Sequence, residues 1–286
     1  MIQELLRKAA QIRRDIIDIV YRSGAGHVGG SLSETDILVT LYYHVMKVDP
    51  KNPNWPERDR FVLSKGHSVD AYLCVLADKG FFPKEELNTY SNFGSKYIGH
   101  PNNKIPGVEM NTGALGHGLS IGVGMALAAK IDHRKNGVFV LMGDGELAEG
   151  SVWEAGMAAA AYGLDNLTAI IDRNGLQISG KTEDVMPLDP LEDKWKSFGW
   201  DVSVVDGHDI QKLITVLSPE RQIDGKPRLI LAKTVKGKGV SFMENNAKWH
   251  HGVMNAEQYE KACRELDELL EVILRYAFGA PEIWTG

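Results

Sequence analysis

At 286 residues, with 43% hydrophobic and 24% charged residues, the chain has an ordinary globular composition and room for one large α/β unit or two small ones. A net charge of −6, with no basic cluster, argues against nucleic-acid binding, and a first stretch that is amphipathic and charged throughout argues against a signal peptide or membrane span. Cys74 and Cys263 lack any motif spacing and read as buried or inert thiols of a reducing, cytoplasmic compartment. Apolar residues at helical spacing predict a helix over 3–22, stopped at Ser23–Gly24–Ala25–Gly26. His27–Val28–Gly29–Gly30 follows. A second helix is expected from Leu32 to Met46, begun by a Ser33-x-x-Asp36 capping pattern. Arg60–Leu63 reads as a short strand ending at Ser64–Lys65–Gly66–His67, with a helix from Ser68 to about Lys79. Residues 88–112 lack periodicity, which favours a functional loop, and Thr112–Gly118 opens a small-residue helix through Lys130. Further strands are expected at Val138–Met142, Leu167–Ile171, Trp200–Val205 and Arg228–Ala232. Helices are expected from Ser151, over Ile210–Leu217 and over Ala256–Tyr276, while 236–252 reads as a mobile loop. With no repeat, low-complexity tract or linker, residues 1–286 read as one α/β domain, doubly wound around a mostly parallel sheet flanked by helices.

The stretch that carries the chemistry begins at Gly143–Asp144–Gly145–Glu146. A strand apolar on both faces stops there, a helix follows, and the next strand ends at Asp172–Arg173–Asn174–Gly175. Such a unit places both strand ends on one edge of a parallel sheet, where ligands of this architecture sit. Asp144 offers a carboxylate, Asn174 an amide oxygen and the nearby backbone a carbonyl, a hard-oxygen set suited to Mg²⁺ with positions left for water and phosphate. The glycines allow a diphosphate close to the backbone. Taken alone, Asp144 could equally cap the following helix and Asn174 serve a turn.

Histidines add a second signal. Five of the nine follow a glycine (His27, His67, His100, His117 and His208), where chance placement would give roughly one, and His251 precedes one. Glycine beside an imidazole provides a sharp turn and room for a ligand, so the group points to loop histidines at a site. His208, in Asp206–Gly207–His208–Asp209, reads instead as part of a helix start.

GDG followed by about thirty residues and Asn is the thiamine diphosphate motif. The wording GDGELAEGSVWEA closely resembles transketolase, and the resemblance runs from about Arg13 to Gly252. It implies thiamine diphosphate with Mg²⁺, or Ca²⁺ or Mn²⁺ in its place, held by Asp144, Asn174 and the Leu176 carbonyl, with Gly145 at the diphosphate. It implies that His27, His67 and His100 line the donor-sugar channel and contact the cofactor. His251, favoured over the adjacent His250, would approach diphosphate and substrate. Gly113–Ala114–Leu115 would form a cofactor-contacting turn, Lys233 would lie near the cofactor, and Glu149 would communicate across a dimer interface. His117 stands where many members of the family have Gln; either side chain could bond the cofactor ring.

Ketose cleavage passes through an alkoxide, so several imidazoles near the cleaved bond suit a two-carbon ketol transfer between sugar phosphates better than a 2-oxo acid decarboxylation. Transketolase-like enzymes activate the cofactor with a glutamate of a pyrimidine-binding domain that would follow this one. The expectation is therefore an N-terminal subunit, inactive alone, that self-associates through its cofactor domain and forms a heterotetramer with a separate C-terminal subunit. A truncated chain would look the same. The rival readings are the alpha subunit of a 2-oxo acid dehydrogenase, a deoxyxylulose-phosphate synthase-like protein, or a non-catalytic cofactor-binding relic.

Overall fold

Segments that are apolar on both faces build the centre of the molecule. The computed structural model describes residues 1–278, and all five strands expected from the sequence form a single parallel sheet. In chain order the elements are α1 (Ile2–Ser23), α2 (Val28–Thr40), β1 (Arg60–Leu63), α3 (Val69–Lys79), α4 (Gly118–Ile131), β2 (Val138–Gly143), α5 (Gly150–Ala161) and β3 (Leu167–Arg173). A short antiparallel hairpin, β4 (Leu176–Gln177) with β5 (Gly180–Lys181), follows. Then come α6 (Thr182–Val185), α7 (Leu191–Ser197), β6 (Asp201–Asp206), α8 (Ile210–Leu217), β7 (Arg228–Lys233) and α9 (Ala256–Phe278). The sheet order is β1-β2-β3-β7-β6.

One register row runs Leu63, Leu141, Ile170, Ile230 and Ser203 across the sheet. Leu63, Leu141, Ile170 and Ile230 pack into a core with α1, α2, α3 and α8, while Val140, Met142, Ala169, Ile171 and Leu231 pack on the opposite face with α4, α5 and Trp195 of α7. Burial on both sides is why these strands lack a polar alternation. The chain leaves β1 toward α3 on the first face and leaves β2 toward α5 on the second. Their carboxyl ends part there, the usual place for a ligand crevice in an open parallel sheet.

Three expectations are corrected. α2 begins at Val28 rather than Leu32, and Ser33 and Asp36 are not caps. Ser33 donates to Asp172 across the core (2.6 Å), and Asp36 pairs with Arg13 and His208, so tertiary partners outcompete the local capping geometry. α4 starts at Gly118, because Gly113 (φ 139°) and Gly116 (φ 85°) hold backbone conformations a right-handed helix cannot contain. Residues 236–252 are not a loose loop: Val240 and Met243 are fully buried, and Gly237 N–H donates to the Gly29 carbonyl (2.9 Å). Among the described residues no helix is long and apolar enough to cross a membrane.

Candidate active site

A cavity of about 380 Å³ opens where β1 and β2 part. Asp144, Gly145, Asn174 and Leu176 all line it, so the two strand ends singled out from the sequence do share one space. Asp144 is buried; its Oδ1 accepts from Gly145 N–H (2.8 Å) and its Oδ2 from Gly175 N–H (2.6 Å). Oδ2 also takes a long contact from the Arg173 guanidinium (3.4 Å), so Oδ1 is the oxygen that keeps a free lone pair. The Asn174 amide donates to Asp172 (3.2 Å) and accepts from Leu176 N–H (3.1 Å), which settles its orientation. Burial, and then Asp172, push the Asp144 carboxyl above its ordinary range, the environment a cation would relieve. No cluster of three or more His, Cys, Asp or Glu suited to a metal occurs among the described residues. A divalent ion here would thus rest on one carboxylate, one amide and one carbonyl and draw its remaining oxygens from a ligand, as Mg²⁺ does on a diphosphate.

Two lysines complete the cavity wall. Lys65, at the end of β1, is 2% exposed and pairs with Asp172, with Glu34 (3.0 Å) and with the Gly30 carbonyl (3.1 Å). Lys236 is equally buried but has no hydrogen-bond or ion-pair partner among the described residues. Burial, and then Lys65, bring its ammonium down to about 8. A buried cation without a protein partner facing a cavity is an anion site. The donor set therefore fits a metal-bound diphosphate.

Five imidazoles gather over this floor. From His27 the ring centroids of His251, His67, His250 and His100 lie 4.6, 5.1, 5.7 and 6.4 Å away, and His67 and His250 stack at 5.0 Å. Burial, then His251, lowers His27 to about 4; burial, then Lys65, lowers His67 to about 2; burial, then Lys236, lowers His250 to about 3. His100 is lowered by burial as well. These four rings are neutral near pH 7, each with one N–H and one lone pair. Glycines permit the crowding: a Cβ on Gly113 would fall 2.5 Å from His100 Cδ2, and one on Gly66 would fall 2.8 Å from Gly113 N.

Several expected site residues lie elsewhere. Lys233 is the last residue of β7 and is exposed; Lys236, three residues on, occupies the cavity, because the chain there turns back at Gly237 onto Gly29. His250 lines the cavity, whereas His251 touches the cluster from beside it. Gly113 and Leu115 line the cavity but Ala114 is exposed between them and does not. His117 is exposed, its Nδ1 against the Leu115 carbonyl (3.1 Å), and Glu149 is exposed at the start of α5. His208 is structural, as read: Nε2 accepts from Val235 N–H (2.8 Å), so Nδ1–H donates to Asp36 (2.7 Å). Sequence reasoning missed Glu146. It is buried and accepts from Ser64 Oγ, Gly116 N–H (2.8 Å) and Gly143 N–H (3.1 Å), tying together the loops that frame the cavity. Its place inside the GDGE run was the only signal.

The chain matches the family model for the transketolase thiamine diphosphate binding domain over residues 6–267. It is 51% identical over 270 residues to one subunit of the apulose-4-phosphate transketolase of Phocaeicola vulgatus, covering 94% of this chain and 96% of that one. It is 44% identical to the 6-deoxy-6-sulfo-D-fructose transketolase subunit SqwG of a Clostridium species, covering 93% and 97%. A transketolase crystal structure from Campylobacter jejuni superposes with a TM-score of 0.86 at 33% identity, over 92% of this chain and 43% of that one, so the chain spans less than half of that solved relative. Cavity, oxygen donors and matched length agree, and the chain belongs to the transketolase family through its thiamine diphosphate-binding domain.

Proposed function

We propose that this chain is the diphosphate-binding subunit of a two-subunit transketolase. The pair moves a two-carbon ketol unit from a ketose phosphate to an aldose phosphate in the cytoplasm. The observation that carries this reading is a cluster of five imidazoles, three of which (His27, His67 and His250) line a cavity with hard-oxygen donors and two buried lysines. Full-length relatives that are themselves named as single subunits of a transketolase support a separate partner. We infer that the partner carries the pyrimidine-binding domain and that the assembly is a heterotetramer joined through the cofactor domains.

Asp144, Asn174 and the Leu176 carbonyl would hold Mg²⁺, for which Ca²⁺ or Mn²⁺ could substitute, and Lys236 would neutralise the diphosphate. When bound, thiamine diphosphate supplies the carbanion needed to break and remake a carbon–carbon bond beside a carbonyl. The histidines do the proton work. Cleavage turns a sugar hydroxyl into a carbonyl, and a neutral imidazole can take that proton and return it to the acceptor. Neighbouring rings, with one donor and one acceptor each, can hold the remaining hydroxyls. This demand for hydroxyl contacts favours a sugar over pyruvate. The test is co-expression with a pyrimidine-binding partner, followed by assay with xylulose 5-phosphate, apulose 4-phosphate or 6-deoxy-6-sulfofructose against pyruvate. Ketol transfer by the pair, and none by this chain alone, is expected; turnover by the chain alone, or only with pyruvate, would refute the reading.

A further inference from the structure

Asp70 lies one turn behind the histidine cluster, on α3, three residues after His67. It is fully buried, and no cation pairs with it among the described residues. Its neighbours in the core solve the same problem differently: Asp36 has Arg13 and Asp172 has Lys65. A buried carboxylate without a cation is stabilised only by the donors that reach it. Here there are three. His27 N–H donates to Oδ2 (2.9 Å), Ser31 Oγ–H donates to the same oxygen (3.0 Å), and Tyr90 O–H donates to Oδ1.

Each bond joins Asp70 to a segment that carries or anchors an imidazole. The first holds the backbone of His27 itself, and the second holds the first turn of α2 just beyond it. The third reaches the irregular stretch before His100. The Tyr90 hydroxyl lies 4.0 Å from where a Cβ on Gly99 would stand, under the Gly99–His100 turn. The approach of His27 also depends on its predecessor: Gly26 has φ 150°, and a Cβ there would fall 2.6 Å from Val20 Cγ2 and 3.1 Å from Asp70 Oδ2. From His27 to Tyr90, segments far apart in sequence converge on one carboxylate that does not itself line the cavity.

We propose that Asp70, with Tyr90, is the positioning residue that sets His27, His67 and His100 at their mutual spacing. The inference rests on the proposed sugar-handling role of those rings, but its structural part can be read without it. Tyr90→Phe removes one hydroxyl without altering any residue that lines the cavity; Asp70→Asn keeps the shape but surrenders one acceptor oxygen.

The first measurement is imidazole proton–nitrogen NMR on the uncomplexed full chain. Both variants are expected to shift the His27 and His100 ring signals and leave the distant His117 and His133 signals unmoved. The second is kinetics of the assembled pair. The kcat/KM for the donor ketose is expected to fall about 10- to 100-fold, the loss that follows displacement of reacting groups by about an ångström. Calorimetric affinity for thiamine diphosphate with Mg²⁺ is expected to stay within about twofold of the parent, since Asp70 touches no diphosphate-side group. A general loss of folding would lower both quantities and shift all histidine signals alike, which would overturn the assignment. Unshifted His27 and His100 rings would overturn it too. If the parent pair shows no ketol transfer, the functional reading fails while the NMR comparison still decides the role of Asp70.

Discussion

Glu34 is the weak point in the logic of the buried charges, and it is wholly inaccessible to solvent. One ammonium, Lys65, faces two carboxylates. It pairs with Asp172, and burial works against that charge but is outweighed by Lys65, which holds Asp172 below its ordinary range. Glu34 receives the same ammonium at 3.0 Å, has Oε1 without a partner, and is pushed up to about 8 by burial. Protonated, its Oε2–H can donate to Ser68 Oγ (2.9 Å), whose own hydroxyl then donates to the Lys65 carbonyl (2.9 Å). A folded value above the ordinary 4.5 means the fold binds a proton that the unfolded chain releases. The stability from this group is complete below about pH 4.5 and is lost as pH rises through about 8. Between those limits each pH unit weakens the fold by about 1.4 kcal/mol. That corresponds to about 2 °C in Tm for a chain of this size. Glu34→Gln removes the titration and keeps the shape. Urea melts of parent and variant at pH 5, 6, 7 and 8 should nearly coincide at pH 5 and diverge in favour of Gln as pH rises. The difference between them is the informative quantity, because the depressed His27, His67 and His250 raise stability with pH below their ordinary 6.5 and act in both proteins. Parallel profiles, with a constant gap from pH 5 to 8, would show that Glu34 is ionised and the reasoning wrong.

Lys236→Met should weaken thiamine diphosphate binding about 10- to 100-fold, the effect of losing one buried charge-assisted contact, while Lys233→Met should change it less than twofold; calorimetry decides, and equal effects would contradict the cavity assignment. Asp144→Asn should abolish metal-dependent binding yet keep Tm within a few degrees, since the amide oxygen can still accept a backbone N–H. Asp144→Ala should cost an additional ~1–3 kcal/mol through the orphaned Gly145 and Gly175 amides, measurable by denaturant melts. His250→Ala should reduce donor kcat/KM more than His251→Ala, because only His250 both lines the cavity and stacks on His67; the reverse order would restore the reading made from sequence. Gly113→Ala should displace the His100 ring and destabilise the chain by about 1–3 kcal/mol, from the strained φ and the 2.5 Å approach together.

The strands were legible because each carries its evidence locally. Val138–Met142 and Leu167–Ile171 are apolar almost without interruption, as only doubly covered strands are, and β1 and β7 were found the same way, whereas β6, at the sheet edge and only partly buried, shows it less. The oxygen donors were legible because Gly143–Asp144–Gly145 and Asn174 terminate such strands, and neighbouring parallel strands end together. The start of α2 was not legible. Val28–Thr40 is buried along its whole length, so it shows no polar face to count from, and its Ser33 and Asp36 imitate a capping pattern while bonding to β3 and to α1.

The choice between like residues was also out of reach. Lys233 sits in the better motif, yet Lys236 enters the cavity because Gly237 bonds to Gly29, about two hundred residues earlier in the chain. His250 lines the cavity, packed against His67, while His251 lies beside it, for the same kind of reason. What the amino-acid order alone determined is which residue types reach the edge of the sheet: periodicity and glycine placement act between neighbours in the chain. Which lysine, which imidazole and which carboxylate face the cavity, and which are neutralised behind it, was decided only by tertiary structure, since burial and charge pairing join residues that local pattern cannot relate.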